Sequence, residues 1–234
     1  MKSNDNTIPR FTHKVKMADA IARHNSLLKI LPRLGLPLGF GEKSIEQLCN
    51  ENNVSLTLFM MIGNVYVQSD YYPDSDELAK CGMDDILQYL QNSHKDYIEN
   101  IFPHIEHHLM ILVDNIQDKY GQLIANFYSE FKKEVATHFR YEEEIVFPYI
   151  RNIANNKKTK TGYGEKTFGK QHDDIEDTLS DLTNLLLKYI PSEILPMERI
   201  DMLLDMYSLA SDIRKHAKME DKILIPYIQM LESK

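Results

Sequence analysis

The chain has 234 residues, enough for one large domain or two small ones with a buried core. Its hydrophobic content of 43% is ordinary for a globular protein. A formal net charge of −8 argues against a nucleic-acid-binding protein, because phosphate binding needs a basic face.

Membrane and secretion signals are absent from the sequence pattern. No apolar run reaches the roughly 18–20 residues of a membrane span. The stretch from Met1 to Lys16 is polar and lacks the apolar core of a signal peptide. We therefore expect a cytoplasmic protein, in which Cys49 and Cys81, without a CxxC motif, do not form a disulfide.

The first part of the chain predicts a small helical domain over residues 1–80. One helical pattern runs from Val15 to Leu31, and a second covers Lys43 to Asn50. Ser55 is expected to cap a third helix that continues through Gln68. Between residues 69 and 83 the composition becomes rich in Ser, Asp, Tyr and Pro, which predicts a boundary before a second domain over residues 83–234.

The second domain opens with a helix that carries an isolated histidine. Ser93, with Asp96 three residues later, is typical of a helix start and predicts a helix that begins beside His94. Apolar and histidine positions then recur at helical spacing. The inward stripe predicted for this helix is His94, Tyr97, Ile101, His104, His108 and Ile111.

Three further helices follow, joined by Asp118 to Gly121 and by a long polar stretch from Asn152 to Gly164. The second stripe is Ile124, Tyr128, Phe131, Val135, His138, Glu142, Ile145 and Tyr149. The third is His172, Ile175, Leu179, Leu182, Leu186 and Tyr189. The fourth is Met202, Met206, Leu209, Ile213, His216, Glu220, Ile223 and Tyr227. These stripes predict an all-α fold: an up-down four-helix bundle preceded by the small helical N-terminal domain.

The bundle contains an internal repeat with an offset of 78 residues, and the repeated residues are metal-ligand types. Each half has an isolated histidine, then His-x-x-x-Glu, then Pro-Tyr-Ile. A His and a Glu four apart on a helix are neighbours, with Cβ atoms about 5–6 Å apart. The candidate ligands for a pair of metal ions are His94, His138, Glu142, His172, His216 and Glu220.

Two simpler explanations compete with a metal site. One His-x-x-x-Glu occurs by chance on many helices, and a lone inward histidine is more often a hydrogen-bonded core residue. Six inward polar groups without a metal are costly, because buried carboxylates must be paired or coordinated. Imidazole with carboxylate suits iron, manganese or zinc, and the lack of thiolates disfavours an iron–sulfur or structural zinc site. The spacing also differs from the Glu-x-x-His of ferritin-like di-iron bundles.

These motifs resemble the haemerythrin-like (HHE cation-binding) superfamily, and most of all its di-iron proteins for repair of iron centres (RIC). The resemblance rests on Ser93-His94, the run from His138 to Pro148, Gln171-His172-Asp173 and the run from His216 to Pro226. It implies that the family's four histidines and two bridging glutamates fall on the six candidate ligands. It also implies two non-haem iron ions joined by an oxo bridge.

The segment from Leu34 to Met60 resembles the small leading domain of the same proteins. That domain usually carries an adjacent cysteine pair, whereas this chain has Gly39-Phe40-Gly41-Glu42. Thiol chemistry attributed to the pair is therefore not expected here. Cys49, the nearest thiol, is expected to be a small buried helix residue.

Oxygen-carrying haemerythrins resemble the bundle too, but they use a fifth histidine. His108 lies roughly 21 Å along the helix from His94 at about 1.5 Å per residue, which disfavours a shared site. His104 and His108 are expected to line the core or surround the ligands, and His107 to lie at the surface.

Tyrosines and aspartates near the ligands have open roles. Tyr97, Tyr141, Tyr149 or Tyr227 could donate a hydrogen bond to a bound oxo or NO group or relay electrons, although aromatic core packing is commoner. Asp173, Asp174 and Asp221 could orient imidazoles, although surface charge is the commoner explanation.

The resemblance implies a role in repairing iron–sulfur centres damaged by nitrosative or oxidative stress, by binding or reducing NO or by handling iron. Whether this is enzymatic stays open; the chemistry is that of an NO- or peroxide-reactive di-iron redox protein. The expected partners are NO, O2 or peroxide, damaged iron–sulfur proteins and, because no dinucleotide motif is present, an external electron donor. The alternatives are a haemerythrin-type oxygen carrier, store or sensor, and iron storage or detoxification alone.

Overall fold

The computed structural model describes residues 12–68, 70–116, 119–155 and 165–232. The regular elements in these ranges are helices, joined by one isolated β-bridge between Lys16 and Ser44. The all-α prediction is therefore confirmed. The chain divides into two compact units, Met1–Tyr89 and Leu90–Lys234. Within the described ranges, no helix combines the length and the apolar character needed to cross a bilayer.

The first helices of unit one are shorter than the sequence pattern predicts. The single helix expected from Val15 to Leu31 is instead α1 (Met17–Arg23), a 3-10 helix (Asn25–Lys29) and α2 (Ile30–Arg33). The break falls at His24, whose φ of −139° and ψ of 77° are not helical. That conformation ends the hydrogen-bond ladder, although apolar residues continue at helical spacing on both sides.

The remaining helices of unit one begin at side-chain caps. In α3 (Ile45–Glu51), the side chains of Ser44 and Gln47 reciprocally satisfy each other's backbone N–H groups. The predicted cap of α4 (Leu56–Val67) is confirmed, because Ser55 Oγ accepts a hydrogen bond from the Leu58 N–H at 3.3 Å. A short helix, α5 (Ser75–Ala79), lies in the segment that composition indicated as a boundary.

Within the described residues, four long helical rods build unit two, and three of them are interrupted by a π turn. The first rod's leading helix, α6, begins within unit one and crosses the division between the units. Contacts between α7 and α8, α8 and α10, α10 and α11, and α11 and α7 close the bundle. The rods are α6 (Met83–Asp96), π turn Tyr97–Ile101 and α7 (Phe102–Asp114); α8 (Lys119–Tyr141), π turn Glu142–Val146 and α9 (Phe147–Ala154); α10 (Glu165–Lys188); and α11 (Pro196–Met219), π turn Glu220–Leu224 and α12 (Ile225–Glu232).

The predicted helix start at Ser93 is wrong. The helix that carries His94 begins at Met83, so Ser93 lies buried inside it. Asp84 and Asp85 occupy its first turn, where carboxylates interact favourably with the N-terminal end of a helix. The link from Asn152 to Gly164, and Asp118 in the shorter link, lie wholly or partly outside the described residues.

Each π turn directly precedes a residue followed by proline. The backbone N–H groups of Phe102, Phe147 and Ile225 donate to the carbonyls of Tyr97, Glu142 and Glu220, five residues back. Proline lacks an N–H and its ring clashes with the carbonyl four residues earlier in a regular helix, so a wider turn relieves both problems. The prolines that follow are Pro103, Pro148 and Pro226.

On the first two rods, the extra residue of the π turn moves the buried stripe by one position, whereas on the fourth rod the predicted Ile223 and Tyr227 stay buried. On the first rod the sequence predicted Ile101, His104, His108 and Ile111 inside, but the buried residues are Phe102, Ile105, Leu109 and Leu112. On the second rod the buried residues are Val146 and Ile150, not Ile145 and Tyr149. The uninterrupted α10 keeps its predicted stripe through Leu186, and only Tyr189, just past the helix end, is exposed.

Candidate metal centre

All four rods contribute to one buried polar cluster in the bundle. His94 comes from α6, His172 from α10, and the two His-x-x-x-Glu pairs from α8 and α11 with their π turns. The side chains of Glu142 and Glu220 are 0% exposed, and that of His172 is 11% exposed. The structure thus brings together all six side chains proposed as ligands, which are His94, His138, Glu142, His172, His216 and Glu220.

Each carboxylate faces two histidines through separate oxygens. Glu142 Oε2 lies 2.8 Å from His94 Nε2, and Glu142 Oε1 lies 3.3 Å from His138 Nε2. Glu220 Oε1 lies 2.9 Å from His216 Nε2, and Glu220 Oε2 lies 2.7 Å from His172 Nε2. Four ring nitrogens therefore converge on four carboxylate oxygens.

The donors form two overlapping groups. One contains His94 and His216, the other contains His138 and His172, and both contain Glu142 and Glu220. Within each group the donor atoms lie within 4.8 Å of one another. Every glutamate thus offers one oxygen to each histidine pair, which is the arrangement of a carboxylate-bridged pair of metal ions.

The histidine pairs combine the two halves of the repeat. His94 and His138 belong to the first half, yet each pairs with a histidine of the second half, His216 or His172. The sequence repeat places one isolated histidine and one His-x-x-x-Glu in each half, but it does not show which histidines bind the same ion. Which histidines share a group follows from the packing of the rods, which the repeat alone does not specify.

The chemistry of these donors fits a metal cation. Among the described residues, the four oxygens of Glu142 and Glu220 have no hydrogen-bond partner other than the ring nitrogens that face them. Buried carboxylates need compensation by a cation or by strong donors. Imidazole and carboxylate together suit iron, manganese and zinc, and a neutral imidazole turns its lone pair to the metal.

In the metal-free cluster, charged neighbours shift the pKa values of Glu220, His94 and His172. Burial would raise the pKa of the Glu220 carboxyl, but the imidazoles of His216 and His172 hold it well below its usual range. Burial would lower the pKa of His94, but the hydrogen bonds that its ring donates to the carboxylates of Glu142 and Glu143 raise that pKa to about 9. The pKa of His172 also rises to about 9, because the Glu220 charge outweighs the opposing effect of burial.

On one side, the cluster is covered by aromatic rings and by the carboxylate of Glu143, which lies outside the cluster. Glu143 Oε1 lies 2.9 Å from His94 Nδ1, the ring nitrogen that points away from the cluster. The His94 ring stacks on Phe139 with centroids 4.1 Å apart, and Tyr97 lies edge-on to His216 at 5.7 Å. Carboxylates that hold a ligand histidine by its second nitrogen fix its orientation and tautomer.

The sequence did not indicate Glu143 as a residue that orients an imidazole; three aspartates were predicted for that role instead. Asp174 is exposed, the side chain of Asp173 lies outside the described residues, and the charge of Asp221 contributes to the raised pKa of His172. A signal for Glu143 was present, because it directly follows Glu142 and so lies beside the site on the same turn.

The other side of the cluster opens toward solvent. A recess between α8 and α10 reaches His138 and is lined by Glu130, Lys133, Glu134, Thr137, His138, Asp174 and Ile175. Access to the two groups is therefore unequal: the His138–His172 pair is near the recess, and the His94–His216 pair lies behind aromatic rings.

The remaining candidate residues lie apart from the cluster. Tyr149 donates a hydrogen bond to Glu232. His104 was expected to line the core, but its side chain is 60% exposed. His108 contacts Asp205 at the bundle surface, and His107 is exposed as predicted. Cys49 and Cys81 are free, as expected, and burial raises the pKa of each thiol to about 12, so neither is a reactive thiolate.

A helical bundle in which four histidines share two buried carboxylates defines a cation-binding bundle protein of the di-metal type. The sequence matches the profile of the Hemerythrin HHE cation binding domain over residues 85–228, more than half of the 234-residue chain. The chain therefore belongs to the haemerythrin HHE family. Comparison with curated proteins returns no significant match.

Proposed function

We propose that the chain is a non-haem di-iron protein that reacts with NO or peroxide and serves the repair of iron–sulfur centres damaged by nitrosative or oxidative stress. One observation carries this proposal: each histidine pair shares both carboxylates, and no fifth histidine adds to the four of the cluster. The other histidines of unit two, His104, His107 and His108, lie outside both groups.

The donor set supports a reactive centre more than a closed one. His94 and His216 would hold one ion, His138 and His172 the other, and Glu142 and Glu220 would span both. Non-haem iron bound by few imidazoles and carboxylates keeps positions open for small molecules. When bound, a ferrous pair supplies the two electrons that, with two protons, reduce two NO molecules to nitrous oxide and water.

The surroundings support a small, weakly polar substrate. Phe139, Phe147 and Tyr97 surround the His94–His216 pair and exclude water from that side. The recess beside His138 offers a route for small molecules from solvent. Glu143 keeps the His94 ring aligned while its other nitrogen faces Glu142.

The decisive experiment is reaction of the iron-loaded, anaerobically reduced protein with NO and, separately, with O2. We expect loss of the ferrous signal on addition of NO, with up to one nitrous oxide per di-iron centre. The Glu142→Ala variant, which lacks one shared carboxylate, serves as the control and should form far less. Reversible O2 binding without any NO turnover would overturn the proposal in favour of a haemerythrin-type carrier, store or sensor.

The repair role needs its own measurement. An iron–sulfur enzyme inactivated by NO is incubated with the iron-loaded protein and an electron donor, and recovery of its activity is followed. Recovery above that given by an equal amount of free ferrous iron supports repair. Equal recovery leaves iron storage or detoxification as the role of the centre.

A further inference from the structure

A second cluster of metal-ligand types lies on the surface of unit two, away from the buried centre. His104 and His108 are one turn apart on α7, with ring centroids 4.5 Å apart. Asp205 of α11 faces both of them. Its Oδ2 lies 2.9 Å from His108 Nδ1 and 3.6 Å from His104 Nε2.

The spacing of these three donors fits a small tetrahedral cation. Zinc–nitrogen and zinc–oxygen bonds of about 2.0–2.1 Å at tetrahedral angles separate ligand atoms by about 3.3–3.4 Å. The two measured separations of 2.9 and 3.6 Å bracket that value, and all three donors lie within 4.8 Å of one another. A cation could therefore replace the ring proton between them with small side-chain rotations.

A hydrogen bond between the two helices explains only part of this arrangement. The contact of His108 with Asp205 is a hydrogen bond that joins α7 to α11. His104 is too far from the same oxygen for a good hydrogen bond, and its side chain is 60% exposed. The hydrogen bond between the helices therefore does not explain the orientation of His104. The π turn Tyr97–Ile101 moves His104 and His108 from the core face to this surface.

We propose that His104, His108 and Asp205 bind one divalent transition-metal cation of the Zn2+ type, in addition to the ions of the buried centre. Two imidazoles and one carboxylate are the protein ligands of an open zinc site, which keeps its fourth position for water or another donor. The side-chain exposures of 60%, 34% and 29% leave the site accessible to solvent cations. No residue is shared with the buried groups, so the two sites load independently.

The test uses the full-length, iron-loaded protein and Zn2+ or Co2+ as probe. Zinc is titrated against a chromophoric chelator while the iron absorption is monitored, and Co2+ is followed by the visible absorption of tetrahedral cobalt. We expect one equivalent that leaves the iron signal unchanged. That equivalent should be lost in His104→Gln and in Asp205→Asn, and kept in His107→Gln, which removes a neighbouring exposed histidine.

The variants report on binding rather than on folding. His104 is exposed, so its substitution leaves the bundle intact, as the unchanged iron absorption would verify in each sample. A wild-type protein that takes up no additional equivalent overturns the proposal. An additional equivalent that survives both His104→Gln and Asp205→Asn also overturns it, because the cation would then be bound elsewhere.

Discussion

Glu142 and Glu220 each present one carboxylate oxygen to each histidine pair. Because the two residues occupy equivalent places, Glu142→Ala and Glu220→Ala should have matching effects. Each should abolish the coupled ion pair rather than weaken it slightly, as seen in iron content and in the magnetic coupling of the two ions. Glu144→Ala, at an exposed position two residues from Glu142, is the control. A normal coupled spectrum in either variant would show that the residue does not bridge.

Glu143 acts on the centre through His94. Glu143→Gln removes the negative charge opposite His94 Nδ1 but keeps the size of the side chain. Loss of such an outer carboxylate typically weakens metal affinity about 10–100-fold. We expect that range for one of the two ions only, because no comparable contact links Glu143 to the other pair in the described structure. A metal-binding titration that separates the two steps checks this, with Glu144→Gln as the matched substitution.

The pKa values of His94 and His172, raised from 6.5 to about 9, predict how metal binding depends on pH. Below about pH 9 both imidazoles hold a proton in the metal-free protein, and a cation must displace it. Affinity should therefore rise from pH 7 toward pH 9, with up to two protons released per loaded chain. The same shifts stabilise the metal-free fold below pH 6.5, and that contribution is lost as the pH rises through about 9. Ferrous titration in weakly buffered, oxygen-free solution measures the protons, and a pH-independent affinity would contradict the prediction.

At the scale of the helices, the sequence predicted the buried residues of the first two rods as far as their π turns, and on the fourth rod the predicted Ile223 and Tyr227 beyond its π turn are buried too. The predicted stripe residues from Ile124 to Glu142 on the second rod and from Met202 to Glu220 on the fourth rod are buried. Beyond Tyr97 and Glu142 the prediction failed by one residue, because a periodicity of 3.6 assumes an uninterrupted helix. The sequence did contain the cause, since a proline follows each π turn, but a proline alone can also kink or end a helix.

The candidate site was easier to predict than the helix faces. Five of its six residues lie at or before the start of a π turn, and His172 lies on the uninterrupted α10, so the regular stripe holds at all six. The 78-residue repeat also marks them twice. The assignment of histidines to pairs depends on which rods are neighbours in space. Glu143 could not be distinguished from its exposed neighbour Glu144 without the position of His94 opposite it.

Two adjacent residues of α7 test the shifted stripe. The unbroken pattern predicts that Ile111 is buried, whereas in the structure Leu112 is fully buried and Ile111 is 41% exposed. Leu112→Ala should lower the free energy of unfolding by about 2–5 kcal/mol, as for a buried leucine. Ile111→Ala should change it by less than about 1 kcal/mol. Urea denaturation of both variants decides between the two registers, and the reverse order of effects would favour the unshifted helix.

For the whole molecule, the position of the donors predicts what unit two does alone. A fragment that starts at Met83 keeps α6 whole and contains all six proposed ligands. We expect it to fold and to bind two iron ions per chain, measured by iron titration and helical circular dichroism. Failure to reach two ions would mean that residues before Met83 are needed to complete the bundle. The full-length chain, loaded under the same conditions, is the reference.

The pairing of histidines across the repeat has a consequence for the origin of the chain. A polypeptide with only the first half would carry His94, His138 and Glu142, one imidazole and one carboxylate short at each ion. Two such polypeptides arranged with twofold symmetry would supply both donor sets. Gene duplication and fusion then replaces the encounter of two chains by an effective concentration in the millimolar range or above. In a fused chain the two halves need no longer be identical, as in the π turn and proline after His94 and the uninterrupted helix after His172.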